Sequence, residues 1–350
     1  MSTLNTKPTT TEVYKHVGPA KHPVAFDLYL PSLTTSTNGV LTLPTVVYFH
    51  PGGLITGDKT WFPKWLHDRV ISLGYAFLSA NYQLLPPGTV HEVIQDIQDL
   101  FVYMKNNSIP VGNSRGVFRA DMNRVAVAGS SGGGYCAYLA AIHCVPKPKA
   151  VFTMAAIGGS VFTPHYLKEK TAPFWKGRDL QDPAPYNQFL YPFSDGSKDP
   201  ISESTEAPDN GRVGLPSLYF QLAIILDHYT GLHEPSLSAK LRDILEKKPN
   251  ATPQDFEQAI PVSQRYTFPE LNVSSAWPPT LSIHGDADTA VLLSESEHMT
   301  GLLTKAGVDA SLIIASGQEH LFDMDPSSEA RWEKEYDVVK DFLFEHLGKS

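Results

Sequence analysis

An α/β fold is predicted: a mostly parallel, twisted sheet with helices on both faces and a cap inserted after the sixth strand. Three observations carry it. Short apolar runs alternate with helix-period segments over residues 45–155 and again over 280–347, the pattern of a parallel sheet covered on both sides. Residues 124–143, RVAVAGSSGGGYCAYLAAIH, read as a buried strand, a glycine turn and a helix with no spacer. Between the two alternating blocks lies a proline- and aromatic-rich stretch, 158–279, too long for a loop. Residues 1–157 and 280–350 are therefore assigned to one core, and 158–279 to an inserted cap.

Taken in order, residues up to about 11 read as a flexible tail. Residues 13–16 and 24–30 alternate apolar and polar around a Gly-Pro turn, an antiparallel hairpin at a sheet edge. A polar Ser/Thr/Asn loop follows. Strands are expected at 45–49 and 75–80, with a helix at 61–73 between them. An irregular loop, NYQLLPP, leads to an amphipathic helix at 90–106. The strand–turn–helix unit comes next, then a strand at 150–155. Within the insert, helical patches fall at 217–229, 237–247 and 253–258. Alternation resumes as strand 280–284, helix 292–306, strand 310–315 and helix 328–347.

The chain has 350 residues, 42% hydrophobic and 19% charged, which is a globular composition with ample length for a core. A net charge of −9 with no basic patch argues against non-specific nucleic-acid binding. Nothing approaches membrane-spanning length. The first residues carry no secretory pattern and the final Gly-Lys-Ser no peroxisomal one. Cys136 and Cys144 fall about 12 Å apart along one helix, too far to bridge. Free buried thiols and a cytoplasmic location are expected, and the matches to N-x-S/T at Asn106, Asn250 and Asn272 are read as chance.

Gly129-Ser130-Ser131-Gly132-Gly133 fits G-x-S-x-G. A serine that must stand clear of a sheet edge needs a sharp strand-to-helix turn. Glycines two residues to either side avoid a β-carbon striking the neighbouring backbone. The helix N-terminus then favours developing negative charge beside the serine. Reactive groups in such a sheet belong just beyond the C-terminal strand ends. His50-Pro51-Gly52-Gly53, Ser131, His284-Gly285-Asp286-Ala287-Asp288 and Gly317-Gln318-Glu319-His320 all fall there.

Together with Asn81-Tyr82-Gln83-Leu84-Leu85-Pro86, these motifs resemble the hormone-sensitive-lipase-like branch of the α/β-hydrolases. That branch carries H-G-G-G, D-Y-R-L-A-P, G-D-S-A-G-G, H-G-x-x-D and G-x-x-H in the same order. The match covers most of the chain outside the insert. The resemblance implies Ser131 as nucleophile, His320 as general base and then acid, and Asp288 as the orienting carboxylate. Asp286 is the competing acid, more suited to bracing its turn. His50 and His284 are read as structural ties between loops.

The oxyanion hole would use the N–H groups of Gly52, Gly53 and Gly132. Pro51 replaces the first glycine of the family motif and has no N–H to give, but the resemblance assigns the donor role to the second and third glycines, which remain. Ser130 stands where the family often has an acid. The family's N-terminal helical cover has too few residues here, so the insert is expected to do the covering. Most of its aromatics should build a small core of its own. Phe162 and Trp175 from the insert, with Trp61 and Trp65 beyond the oxyanion loop, are the candidate pocket walls. The helix-packing alternative stays open for the two tryptophans.

The function expected is hydrolysis of a carboxylic ester or thioester through an acyl-serine, on a small-molecule acyl substrate, with neither metal nor cofactor. A metal site on His284, Asp286 and Asp288 lacks a fourth ligand. A second reading is acyl transfer or lactone-forming chain release in polyketide metabolism, with the same triad and an acceptor hydroxyl in place of water. A third is a non-catalytic ligand-binding protein on a hydrolase scaffold. The sequence does not fix the oligomeric state.

Overall fold

The computed structural model describes residues 7–32, 39–111, 116–194, 199–204, 211–248 and 250–349. β1 (Thr10–Val17) and β2 (His22–Tyr29) form the antiparallel edge hairpin. The tail is shorter than expected: β1 starts at Thr10, with Thr9 N–H and the Thr11 hydroxyl bonded to Leu28 and Asp27. Most of the polar loop that follows lies outside the described residues. β3 (Val40–Phe49), β4 (Ala76–Ala80), β6 (Val117–Ser130), β7 (Ala150–Met154), β8 (Thr280–Gly285) and β9 (Ala310–Ala315) make the parallel part of the sheet. A two-residue β5 (Ile109–Pro110) pairs antiparallel with β6. Strand order is β1-β2-β4-β3-β6-β7-β8-β9. With β5 counted, the insert follows the seventh strand, not the sixth.

The order reverses at β3/β6, and that reversal decides which helix covers which face. Parallel crossovers are right-handed. The chain steps one way from β3 to β4 through α1 (Lys64–Ser72). It steps the other way from β4 to β6 through α2 (Val90–Asn106) and on to β7 through α3 (Gly132–His143). So α1 lies on one face with α10 (Ser328–Leu347), and α2 and α3 on the other, where α9 (Leu293–Lys305) also packs. Alternate residues of each strand serve the two faces. Val46 and Tyr48 of β3 join the α1/α10 core, while Val47 and Phe49 join the α2/α3 core.

Between β7 and β8 come α4 (Pro164–Leu167), α5 (Leu215–Gln221), α6 (Ile225–Thr230), α7 (Leu237–Lys247) and α8 (Pro253–Ala259), joined by 3-10 turns. Proline at the first helical turn of α4, α5 and α8 starts these short helices where no N–H is needed. Among the described residues, the insert forms no separate small core of the kind expected. Phe162, Tyr166, Leu218, Tyr219, Phe220 and Tyr229 are buried in one apolar cluster continuous with α2 and α3. Both cysteines are free and buried on or beside α3. No helix among the described residues is long and apolar enough to cross a membrane.

Behind the sheet's C-terminal edge, Asp323 is buried on the turn Phe322–Met324, and its Oδ2 has no hydrogen-bond partner among the described residues. Burial, with the nearby Asp288 charge adding to it, pushes its carboxyl up to about 7. A carboxyl raised on folding holds its proton in the native state while the unfolded chain has lost it. Its stabilisation is therefore full below pH 4 and lost as pH rises to about 7. The stability difference between wild type and Asp323→Asn, measured by urea midpoints, should swing towards the variant by something on the order of 4 kcal/mol between pH 4 and 8. A pH-independent difference would contradict this.

Candidate active site

Ser131 is the hinge between β6 and α3, with φ 54° and ψ −119°, a backbone conformation rare for a residue with a side chain. Its own N–H donates to the Met154 carbonyl of β7 (2.8 Å), and its carbonyl accepts from Ile157 N–H (3.2 Å). The flanking glycines follow from sterics. A β-carbon on Gly129 would stand 2.1 Å from the Gly133 carbonyl oxygen, and one on Gly133 would stand 2.0 Å from that of Phe49. Ser130 turns the other way and accepts the Tyr48 hydroxyl proton (3.0 Å).

Across from the serine, the loop after β3 carries three left-handed residues in succession: Gly52, Gly53 and Leu54, at φ 110°, 66° and 65°. Ile55 and Thr56 N–H both fold back onto the Gly52 carbonyl. The N–H groups of Gly52 and Gly53 donate to no acceptor among the described residues. Gly132, first in α3, has its N–H ahead of the helix's own hydrogen bonds. A β-carbon on Gly132 would lie 2.8 Å from Gly53 N, so the two backbones meet here. His50 ties the loop down: its Nδ1 pairs with the Pro51 carbonyl (2.8 Å) and its ring stacks on Tyr82 at 4.3 Å. Burial lowers that imidazole to about 4, which keeps it neutral.

The loops after β8 and β9 bring two more groups to the serine. His320 Nε2 is 3.0 Å from Ser131 Oγ, and His320 Nδ1 is 2.7 Å from Asp288 Oδ2. All three residues are about 4–5% exposed, so the chain of contacts is shielded from water. Asp288 Oδ1 accepts the N–H groups of Ala290 and Val291, each at 2.9 Å. Its Oδ2 also has His284 Nε2 at 3.3 Å. The Ser296 hydroxyl sits 2.8 Å from His284 Nδ1 and can donate there, which leaves the Nε2 proton for Val291 O and Asp288. Burial alone would raise the Asp288 carboxyl. The His320 charge and the hydrogen bonds from His284 and His320 outweigh it and hold Asp288 well below the usual carboxylate range.

Asp286 is elsewhere: exposed, it accepts Gly317 N–H and the Ser316 hydroxyl and braces the turn. Of the candidate walls, only Trp175 reaches the site. Its ring is edge-on to His320 at 6.2 Å, and it borders a cleft of about 200 Å³ also lined by Phe174, Arg178, Gln181 and Ser217. The expectations for Trp65 and Phe162 are corrected, and nothing observed places Trp61 at the serine. Trp65 stacks on Tyr336 at 3.8 Å, on the opposite face of the sheet, because its crossover runs the other way. Phe162 stacks on Phe256 inside the apolar cluster. Trp61 packs beside Gly57, with no described contact to Ser131. Sequence reasoning missed Thr289 and Glu319, whose signal was adjacency to Asp288 and His320, and Lys176, for which the sequence held none. Among the described residues, no group of acidic, histidine and cysteine side chains could hold a metal.

Residues 46–223 match the sequence profile of the alpha/beta hydrolase fold family, and 237–350 that of the prolyl oligopeptidase family. The chain belongs to the alpha/beta hydrolase family, in line with the motifs. Among curated relatives, it is 24% identical over 335 residues to the non-reducing polyketide synthase mapC' of Penicillium brevicompactum, an alignment covering 91% of this chain. The chain spans 14% of that synthase's length. A probable carboxylesterase, M8, of Phoma sp. is 27% identical over 119 residues, 32% of this chain and 37% of that one. Among solved structures, a thermophilic esterase of Thermogutta terrifontis superposes with a TM-score of 0.57 at 13% identity, covering 96% of this chain and 91% of its own. An alpha/beta hydrolase superfamily protein from Enterococcus faecalis gives 0.61 at 15% identity over 92% and 96%.

The elbow's sterics are directly testable. Gly133→Ala should lower the urea midpoint by the equivalent of roughly 3 kcal/mol or more, because the methyl meets β3 backbone on a residue that cannot move. A wild-type midpoint would contradict the geometry.

Proposed function

We propose that the protein is a serine hydrolase of carboxylic esters or thioesters. The observation carrying this reading is the unbroken contact from Ser131 Oγ through His320 to Asp288 Oδ2, with the N–H groups of Gly52 and Gly53 donating to no acceptor among the described residues. Asp288 holds the Nδ1 proton of His320, which leaves Nε2 free to take the serine proton. As Ser131 Oγ attacks the acyl carbon, its proton passes to His320 Nε2, and the carbonyl oxygen gains charge within reach of Gly52, Gly53 and Gly132 N–H. Collapse breaks the bond to the leaving group, which takes the proton from His320. Water then repeats the sequence on the acyl-serine and releases the acid. No step calls for a metal or cofactor. Residues 158–279 act as a cap over Ser131, with Trp175 at the base and Tyr229, whose hydroxyl bonds the Gly53 carbonyl, behind the oxyanion loop.

A second reading has its own support. Several non-reducing polyketide synthases align over 81–92% of this chain, which favours a polyketide acyl group as substrate. With an acceptor hydroxyl in place of water, the same acyl-serine would yield a lactone or a new ester.

Ser131→Ala should abolish turnover of p-nitrophenyl esters while the fold is kept. Asp288→Asn should lower kcat on the order of 10⁴-fold, and Asp286→Asn only by a small factor. Undiminished turnover in Ser131→Ala, or equal losses in the two aspartate variants, would overturn the assignment. With an aryl acyl thioester carrying a free hydroxyl, mass spectrometry of the product separates the readings: free acid alone supports hydrolysis, and a cyclised product supports chain release.

A further inference from the structure

Lys176 is an exposed lysine on the insert, and its backbone is strained: φ 54°, ψ 34°. Left-handed backbone costs a non-glycine residue on the order of 1 kcal/mol or more and persists only where surroundings impose it. The bonds Lys176 makes account for the constraint. Its main-chain N–H donates to Thr289 Oγ1 (2.8 Å), and its Nζ donates to the His320 carbonyl (2.6 Å). The Thr289 hydroxyl in turn donates to Glu319 Oε1 (2.6 Å), while Glu319 Oε2 accepts Thr289 N–H (3.3 Å) and His320 N–H (2.9 Å). The result is a closed ring, Lys176–Thr289–Glu319–His320–Lys176. It joins the residue after Asp288 to both the N–H and the C=O of His320, and one of its corners belongs to the insert. The neighbouring Trp175 sets its edge against the His320 ring.

We propose that Lys176 is a positioning residue for His320. The histidine follows a strand by five residues, on a loop with little regular structure of its own, and Leu321 beyond it is also left-handed at φ 60°. The ring fixes its peptide from both sides, and the Trp175 edge limits ring rotation. The insert thereby holds the base in line with Ser131 as well as shaping the space above it. Lys176 touches no reacting atom. Its loss leaves the binding surface in place and loosens the imidazole, and displacement of about 1 Å costs on the order of 10²-fold in rate. An exposed bond lets water share the work, so about tenfold is the expectation.

The inference rests on the serine-hydrolase reading and is tested separately from it. Lys176→Met and Lys176→Arg are compared with wild type for kcat and KM on p-nitrophenyl butyrate, with melting temperature measured alongside. Lys176→Met should lose about tenfold in kcat with KM and melting temperature near wild type, and Lys176→Arg, which can still donate to the carbonyl, should recover most of it. Unchanged kcat in Lys176→Met, equal loss in both variants, or a loss confined to KM would overturn the proposal. A wild-type protein inert towards esters would instead fail the hydrolase reading. The ring is then judged by the rate of fluorophosphonate labelling of Ser131 in the same variants, where equal rates would overturn it.

Discussion

One backbone conformation organises this molecule: the left-handed turn at Ser131. It is tolerable only because β6 and α3 are fixed independently, the strand by pairing with β3 and β7 and the helix by burial of all but its last two residues. Glycine is required where the turn brings chain against chain, at Gly129 against Gly133 and at Gly132 against Gly53. The strain is local, and the packing that holds it runs through most of the core. The serine is thus placed by elements that have no chemistry of their own.

Around that point the structure converges on restraint. The glycine loop after β3 is stacked on Tyr82 through His50. The carboxylate of Asp288 is surrounded by two backbone amides and two imidazoles. Four donors on one buried carboxylate offset the cost of burying it and keep it charged. A charged Asp288 in turn holds the proton on Nδ1 of His320. The insert takes part in the same restraint, through Tyr229 on the glycine loop after β3 and Lys176 on the loop that carries His320.

Much of this was legible in the chain. Parallel strands buried on both faces read as unbroken apolar runs, so β4, β7, β8 and β9 were found to within a residue, whereas β3 was found only over its inner half, 45–49, and missed over 40–44. The outer half of β6, RADMN, is largely polar and only partly buried, and it carries no period to read. The two contacts that join Ser131, His320 and Asp288 follow from motif order, because parallel strands deliver their C-terminal loops to one edge. The aromatic walls were harder. Trp65 could be placed only by knowing that the strand order reverses at β3, and Phe162 only by knowing that the insert shares the core of α2 and α3. Lys176 is invisible in sequence because its role depends on a fold-back across more than a hundred residues. A lysine beside a tryptophan has no pattern of its own.

The account depends most on Ser131 being the group that becomes covalently acylated. Incubating the protein with a fluorophosphonate and mapping the adduct by peptide mass spectrometry tests this directly. The account predicts one adduct per chain, on the peptide containing Ser131, and its loss when the protein is denatured first. An adduct on another residue, or none on the folded protein, would contradict it.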